Sequence, residues 1–166
     1  WQALQLAKEF GDKMGISQAL NNLGILESDA ANYKQAEEFY LQSLQISKEL
    51  EDKEGLASTM INLAHLNVKI KRYTVAMQHA QQALKIAESC ELLDLQKSAY
   101  EYKAQVYAHL HQYQFAYENY KLFKKYSDSL FNQLLHNQIN QLESKFHLER
   151  KQLEIENLQS ERKHQQ

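Results

Sequence analysis

The chain has 166 residues, room for one domain or for a short repeat array with an appendage, and its 43% hydrophobic and 24% charged content supports a folded core. A formal charge of -2, with no basic patch of convincing size, gives no attraction for nucleic-acid phosphates or anionic lipid. The lack of proline and the presence of only four glycines remove the turn punctuation of β-rich folds, so helices are expected to dominate.

Cys90 is alone, which excludes an internal disulfide, and its helical apolar setting reads as a packed small hydrophobe. No apolar run approaches the roughly 20 residues that cross a bilayer, and Trp1-Gln2-Ala3-Leu4 lacks the basic start and apolar core of a signal peptide. The missing initiator methionine and the opening in mid-helix pattern suggest a piece of a longer protein.

An offset of 40 aligns Tyr33, Tyr73 and Tyr113, then Ala36, Ala76 and Ala116, then Gly24, Ala64 and Ala104. Apolar columns keep the same register: Leu20, Met60 and Tyr100; Leu26, Leu66 and Val106; Ile46, Ile86 and Tyr126. Carried backward, the register maps Leu4 to Leu44, Leu6 to Ile46 and Phe10 to Leu50, so residues 1–10 read as the second helix of a truncated unit. Helix pairs follow at 16–50, 56–90 and 96–126, because apolar residues recur at helical spacing within each unit. The breaks inside the pairs are expected near Ala31-Asn32, Lys71-Arg72 and His111-Gln112. A longer connection between pairs is expected over Glu51-Asp52-Lys53-Glu54-Gly55, with Asp12 to Gly15 in the same phase.

With Leu23-Gly24, Leu63-Ala64, Ala36, Ala76, Ala80, Ala83 and Ala116 in place, the chain resembles the tetratricopeptide-repeat family in a long-repeat variant. The resemblance covers about residues 1–126 and implies an all-α, right-handed superhelix of helix hairpins. Lys103 in the leucine column, with Tyr120 and Phe123 in small-residue columns, marks the third unit as one that packs against something other than another repeat.

From Ser127 the register fades, and residues 127–166 read as a C-terminal capping and linker helix. Leu135, Ile139, Leu142, Phe146 and Leu153 form a heptad-like stripe suited to dimerisation. Ile155 and Leu158 lie off that stripe, as a stutter or change of partner near Glu149-Arg150-Lys151 would produce. Mixed charges between Glu143 and Lys163 fit a solvated helix flank. The segments Tyr126 to Asn132 and Leu142 to Phe146, continued by Arg150 to Leu158, resemble the linker that follows repeats in bacterial sensor proteins of the histidine kinase and nucleotide or diguanylate cyclase types.

Such arrays present the first helix of each pair on a concave surface, so residues there that are out of phase with the packing columns are the expected protein- or peptide-binding groove. They are Gln18, Asn21, Asn22 and Ile25; then Ser58, Ile61, Asn62, His65 and Lys69; then Ser98, Glu101, Tyr102, Gln105 and His109. Asn22 and Asn62 share a column, and stacked amides can hold an extended peptide backbone; the resemblance implies the same use in peptide-binding relatives. Asn21, Ile25, Ile61 and His65 surround that column where carboxylate-clamping relatives carry cations, which disfavours a chaperone-tail receptor. Most of the tyrosines among Tyr100, Tyr102, Tyr107, Tyr113, Tyr117, Tyr120 and Tyr126 are expected in core and cap packing.

His65 and His109 could approach one another, but two histidines without a third ligand do not make a metal site. No phosphate loop, metal motif or nucleophile elbow is present, so no catalytic residue, metal or cofactor is expected in this fragment. The expected partners are a protein or extended peptide and a second copy through the terminal helix, with no nucleic acid and no membrane span. The expected role is the sensory or interaction region of a bacterial signal-transduction protein. A passive assembly scaffold with a capping helix and an autoinhibitory domain of an adjoining enzyme are the alternatives. The compartment stays open between bacterial cytoplasm and periplasm, including as part of a membrane-anchored protein.

Overall fold

A computed structural model describes the backbone of residues 1–164 and the side chains of residues 1–152, 155 and 156. Seven helices and no strand make up the described residues: α1 (Gln2–Glu9), α2 (Lys13–Asp29), α3 (Tyr33–Glu49), α4 (Lys53–Lys69), α5 (Tyr73–Ser89), α6 (Leu93–His109) and α7 (Tyr113–His164). They fall into two compact units, Trp1–Ser127 and Asp128–Gln166. Helices α2 to α6 have 17 residues each.

All connections from α1 to α7 are built alike. Gly11, Ala31, Glu51, Lys71, Glu91 and His111 take left-handed backbone conformations, φ 54 to 66°, at intervals of 20 residues. Each forms a double hydrogen-bonded helix end. After α2, Ala31 N–H donates to the Ser28 carbonyl (3.2 Å) and Asn32 N–H to the Glu27 carbonyl (2.8 Å). After α4, Lys71 and Arg72 donate likewise to Val68 and Asn67. The connections between pairs are therefore as short as those inside them, against the longer loop expected at 51–55. The same left-handed joint closes all six connections, and at two of them Asp52 and Asp12 also cap α4 and α2 by accepting from Gly55 N–H (3.0 Å) and Gly15 N–H (2.9 Å). Those glycines lie inside the first helical turn, where a Cβ would run into the capping carboxylate. In the third pair Leu92 stands at the cap position and makes no side-chain cap bond.

The core is a chain of small clusters. Leu4, Ala19, Leu20, Leu23 and Phe39 form the first; Ala36, Tyr40, Leu63 and Leu66 the second; Ile61, Ala83, Leu84 and Ala99 the third. Gly24 serves close approach, since a Cβ there would lie 2.5 Å from the Tyr40 ring. The Leu26 column is not uniform: Leu66 and Val106 are fully buried, whereas Leu26 is 64% exposed. Leu66 packs with Ala36 and Tyr40 of the preceding pair.

The second helix of the third pair and the terminal segment, expected as separate elements meeting at 126/127, are one helix, α7. At the next step of the 20-residue rhythm stands Phe131, a bulky residue ill suited to the left-handed conformation, and the helix runs through it. Within the first unit α7 packs through Tyr107 against Phe115 (5.4 Å) and Tyr100 against Tyr126 (5.6 Å). Of the seven tyrosines of which most were expected in packing, Tyr113, Tyr117 and Tyr120 are exposed.

Candidate functional site

Helix α4 packs against both α2 and α6, which sets the first helices of the three pairs side by side. Their facing polar residues form a ladder. Asn62 Nδ2 donates to Asn21 Oδ1 at 2.9 Å, Lys69 Nζ lies 3.2 Å from Asp29 Oδ1, and the His65 ring stacks on Tyr102 at 5.3 Å. The partner of Asn62 is thus Asn21 and not its column mate Asn22. One residue of helix is a turn of about 100°, and Asn22 faces a different groove, beside α1.

Gln18, Asn21 and Ser58 converge on a cleft of about 300 Å³ between α2 and α4, with Met14, Asp52 and Glu54 at its sides. Asn62, His65, Lys69 and Tyr102 are engaged in the ladder, and Ile61 is buried in the core. Ser98 bonds the Asp94 carbonyl, Gln105 donates to Glu101, and Ile25 is exposed. His109 stacks on Tyr73 at 4.8 Å, so it and His65 engage different tyrosines. Among the described residues no group of three histidine, cysteine or acidic side chains could hold a metal ion.

Burial sets the electrostatics of the ladder. It holds the His65 imidazole below its usual pKa, with the Lys69 ammonium adding to the effect and Asp29 opposing it. The Tyr102 phenol is pushed up to about 12 by burial and then by Glu101. Burial likewise lowers Lys103, whose ammonium lies 5.3 Å from the Tyr100 ring centre. At neutral pH the middle of the row therefore offers amides, a neutral imidazole and a phenol, groups that exchange hydrogen bonds rather than protons.

Sequence reasoning missed a buried hydroxyl network where α2 meets α3 and α4. Ser17 Oγ donates to the Ser43 carbonyl (3.1 Å) and Ser43 Oγ to the Ser17 carbonyl (2.8 Å). With both protons committed, Ser47 Oγ donates to Ser17 Oγ (2.8 Å) and Thr59 Oγ1 to Ser43 Oγ (3.3 Å). The network floors the cleft through Ser17, Ser43 and Thr59. Its signal was legible as small polar residues in columns that hold Ala57, Ala83 and Ala99 one repeat later.

In the second unit Leu135, Ile139, Leu142 and Phe146 are all exposed on α7; Leu153 lies outside the described side chains. Phe131, Leu134, Leu148 and Ile155 are exposed as well, so the apolar surface is wider than the heptad reading. No helix among the described residues is long and apolar enough to cross a membrane.

The family model described as Tetratricopeptide repeat matches residues 15–89. The crystal structure of BtubC (BKLC) from P. vanneervenii shares the fold, with a TM-score of 0.66 and 20% identity over 76% of this chain. This chain spans about half, 53%, of that structure's length. No protein of curated function matches.

Proposed function

We propose, from the match of residues 15–89 to the tetratricopeptide-repeat model, whose arrays are protein-interaction modules, that this chain is the protein- or peptide-binding region of a bacterial signal-transduction protein. In this reading α2, α4 and α6 receive the partner, and α7 carries dimerisation or the link to an output domain. The observation that carries the binding half is the cleft between α2 and α4, where Gln18, Asn21 and Ser58 converge beside the Asn21–Asn62 bond. Amides positioned by each other can meet the backbone of an extended peptide with little ordering cost. The exposed apolar residues of α7 support the second half, since such surface on a charged helix is commonly covered by a partner helix. A ligand would drive signalling only through a difference in affinity between two arrangements of the module.

Extended peptides selected from a displayed library against the chain provide the probe, and titration calorimetry the readout. Asn62→Ala is expected to weaken a selected peptide about tenfold, ~1.4 kcal/mol, with unchanged circular dichroism, whereas Asn22→Ala leaves it unchanged. Equal affinity for wild type and Asn62→Ala removes the row from the binding site. For α7, light scattering of the chain and of a version ending before Leu142 should show a dimer and a monomer; a monomer in both would favour a scaffold with a solvated tail.

A further inference from the structure

The cleft between α2 and α4 has a floor of acceptors, and the hydroxyl network beneath it is the cause. Every proton of that network is spent inside it: Ser17 and Ser43 donate to each other's carbonyls, Ser47 to Ser17, and Thr59 to Ser43. A hydroxyl has one proton and two lone pairs. Thr59, 1% exposed and lining the cleft, therefore accepts from no protein group, and lone pairs are all it can turn toward a ligand. The charged side chains of the cleft, Asp52 and Glu54, are acceptors as well. One Asp52 oxygen is held by Gly55 N–H, and Glu54 has no partner among the described residues. No lysine of the flanking helices balances them. Of the five lysines on α2, α4 and α6, Lys13, Lys69 and Lys97 pair with Glu49, Asp29 and Asp94, Lys103 lies over the Tyr100 ring, and Lys53 does not line the cleft.

We propose that this cleft selects a cationic side chain, the ammonium of a lysine or the guanidinium of an arginine on an extended peptide, with Thr59 beneath it and Asp52 and Glu54 at its sides. The inference rests on the reading of the cleft as a peptide-binding site and adds the charge of its occupant. Both cations are donors only, so each N–H can meet a lone pair and none faces another proton. Their bonds to carboxylates are charge-assisted and therefore among the stronger ones. Met14, also at the side of the cleft, offers a flexible apolar surface to the aliphatic stem. Gln18, Asn21 and Ser58 carry donors and acceptors both and remain for the peptide backbone. An acidic side chain in the same place would meet two carboxylates, and an apolar one would cover the Thr59 lone pairs without a donor, so both are selected against.

Extended peptides selected from an unbiased displayed library against the full chain are expected to share lysine or arginine at one position. In a selected lysine peptide, norleucine at that position keeps the stem and removes the ammonium, and calorimetric titration should show affinity falling about tenfold or more. Glu54→Gln, at an exposed position, should weaken the lysine peptide and leave the norleucine peptide unchanged, as two groups in contact require. Thr59→Val, which keeps the shape and removes the lone pairs, should act in the same way. Selected peptides without a shared cation, or a norleucine peptide that binds as well as the lysine peptide, overturn the inference. If Asn62→Ala still weakens those peptides, the peptide-binding reading stands without it. An equal loss on norleucine substitution in wild type and in Glu54→Gln would place the ammonium elsewhere and also overturn it. A library that yields no binder removes the peptide-binding reading and this inference together.

Discussion

The place that α2 takes on α3 and α4 and the place that α4 takes on α5 and α6 are one interface in two chemistries. The first is a hydroxyl network of Ser17, Ser43, Ser47 and Thr59; the second holds Ala57, Ala83, Ala87 and Ala99 in the same columns. All eight side chains are buried. What the repeat requires at these points is small volume, and polarity is admitted where each added hydroxyl finds a partner. The cleft follows the polar version: it opens above the hydroxyls, while at the second place Ile61 packs with Ala83 and Ala99. At the first place Asn21 stands in the column that Ile61 fills at the second.

The sharpest way to break this comparison is Ser43→Ala, which strands the Thr59 hydroxyl in the core. It is expected to cost about 1–3 kcal/mol in denaturant unfolding, whereas converting Ser17, Ser43, Ser47 and Thr59 to alanine together should recover much of that loss. If the fourfold variant proves the least stable, the hydroxyls contribute more than a filled volume.

A smaller effect separates the two interfaces by pH. His65 belongs to the second, where burial lowers its pKa in the fold, so the unfolded chain takes up protons first as pH falls below about 6.5. Stability should decline through that range and level off below the folded pKa. His79, half-buried with its Nδ1 enclosed and unpartnered, is also lowered by burial and acts in the same direction. Thermal unfolding of His65→Gln between pH 7 and 5 should show a shallower decline than wild type, and an identical decline would exclude His65 as a source.

The smallest expected change concerns the joints. Glu51 takes the left-handed conformation at a cost that glycine avoids, so Glu51→Gly should raise stability by up to about 1 kcal/mol, read as a higher Tm. A lower Tm would mean that the Glu51 side chain supports the joint in a way its geometry does not reveal.

The helix pairs and their 40-residue register were legible because helical spacing and column identity persist through all three units. The 20-residue rhythm of the joints was not, because five of six left-handed positions hold alanine, glutamate, lysine or histidine in place of the expected glycine. Gly15 and Gly55 misled in the opposite direction, marking helix starts beside capping aspartates rather than loops. In the first-helix row, whether Asn21 or Asn22 meets Asn62 depends on how two helices are rotated about their axes. That rotation is set by packing at Ser17, Ser43 and Gly24 and is invisible in a column of letters. The continuity of α7 escaped notice for a related reason, since a fading repeat signal is easily read as a break in the backbone.

The uniform joints also bear on how such a chain tolerates a change in copy number. With every hinge alike, a 40-residue block cut or duplicated between any two joints that precede first helices returns the chain to the same backbone path and the same outward faces. A 20-residue block would pass through equally sound joints yet place a second helix where a first helix belongs, burying the wrong side. Growth of this array by in-frame copying is therefore quantised in whole hairpins, and the constraint comes from which face each helix must hide rather than from the turns that join them.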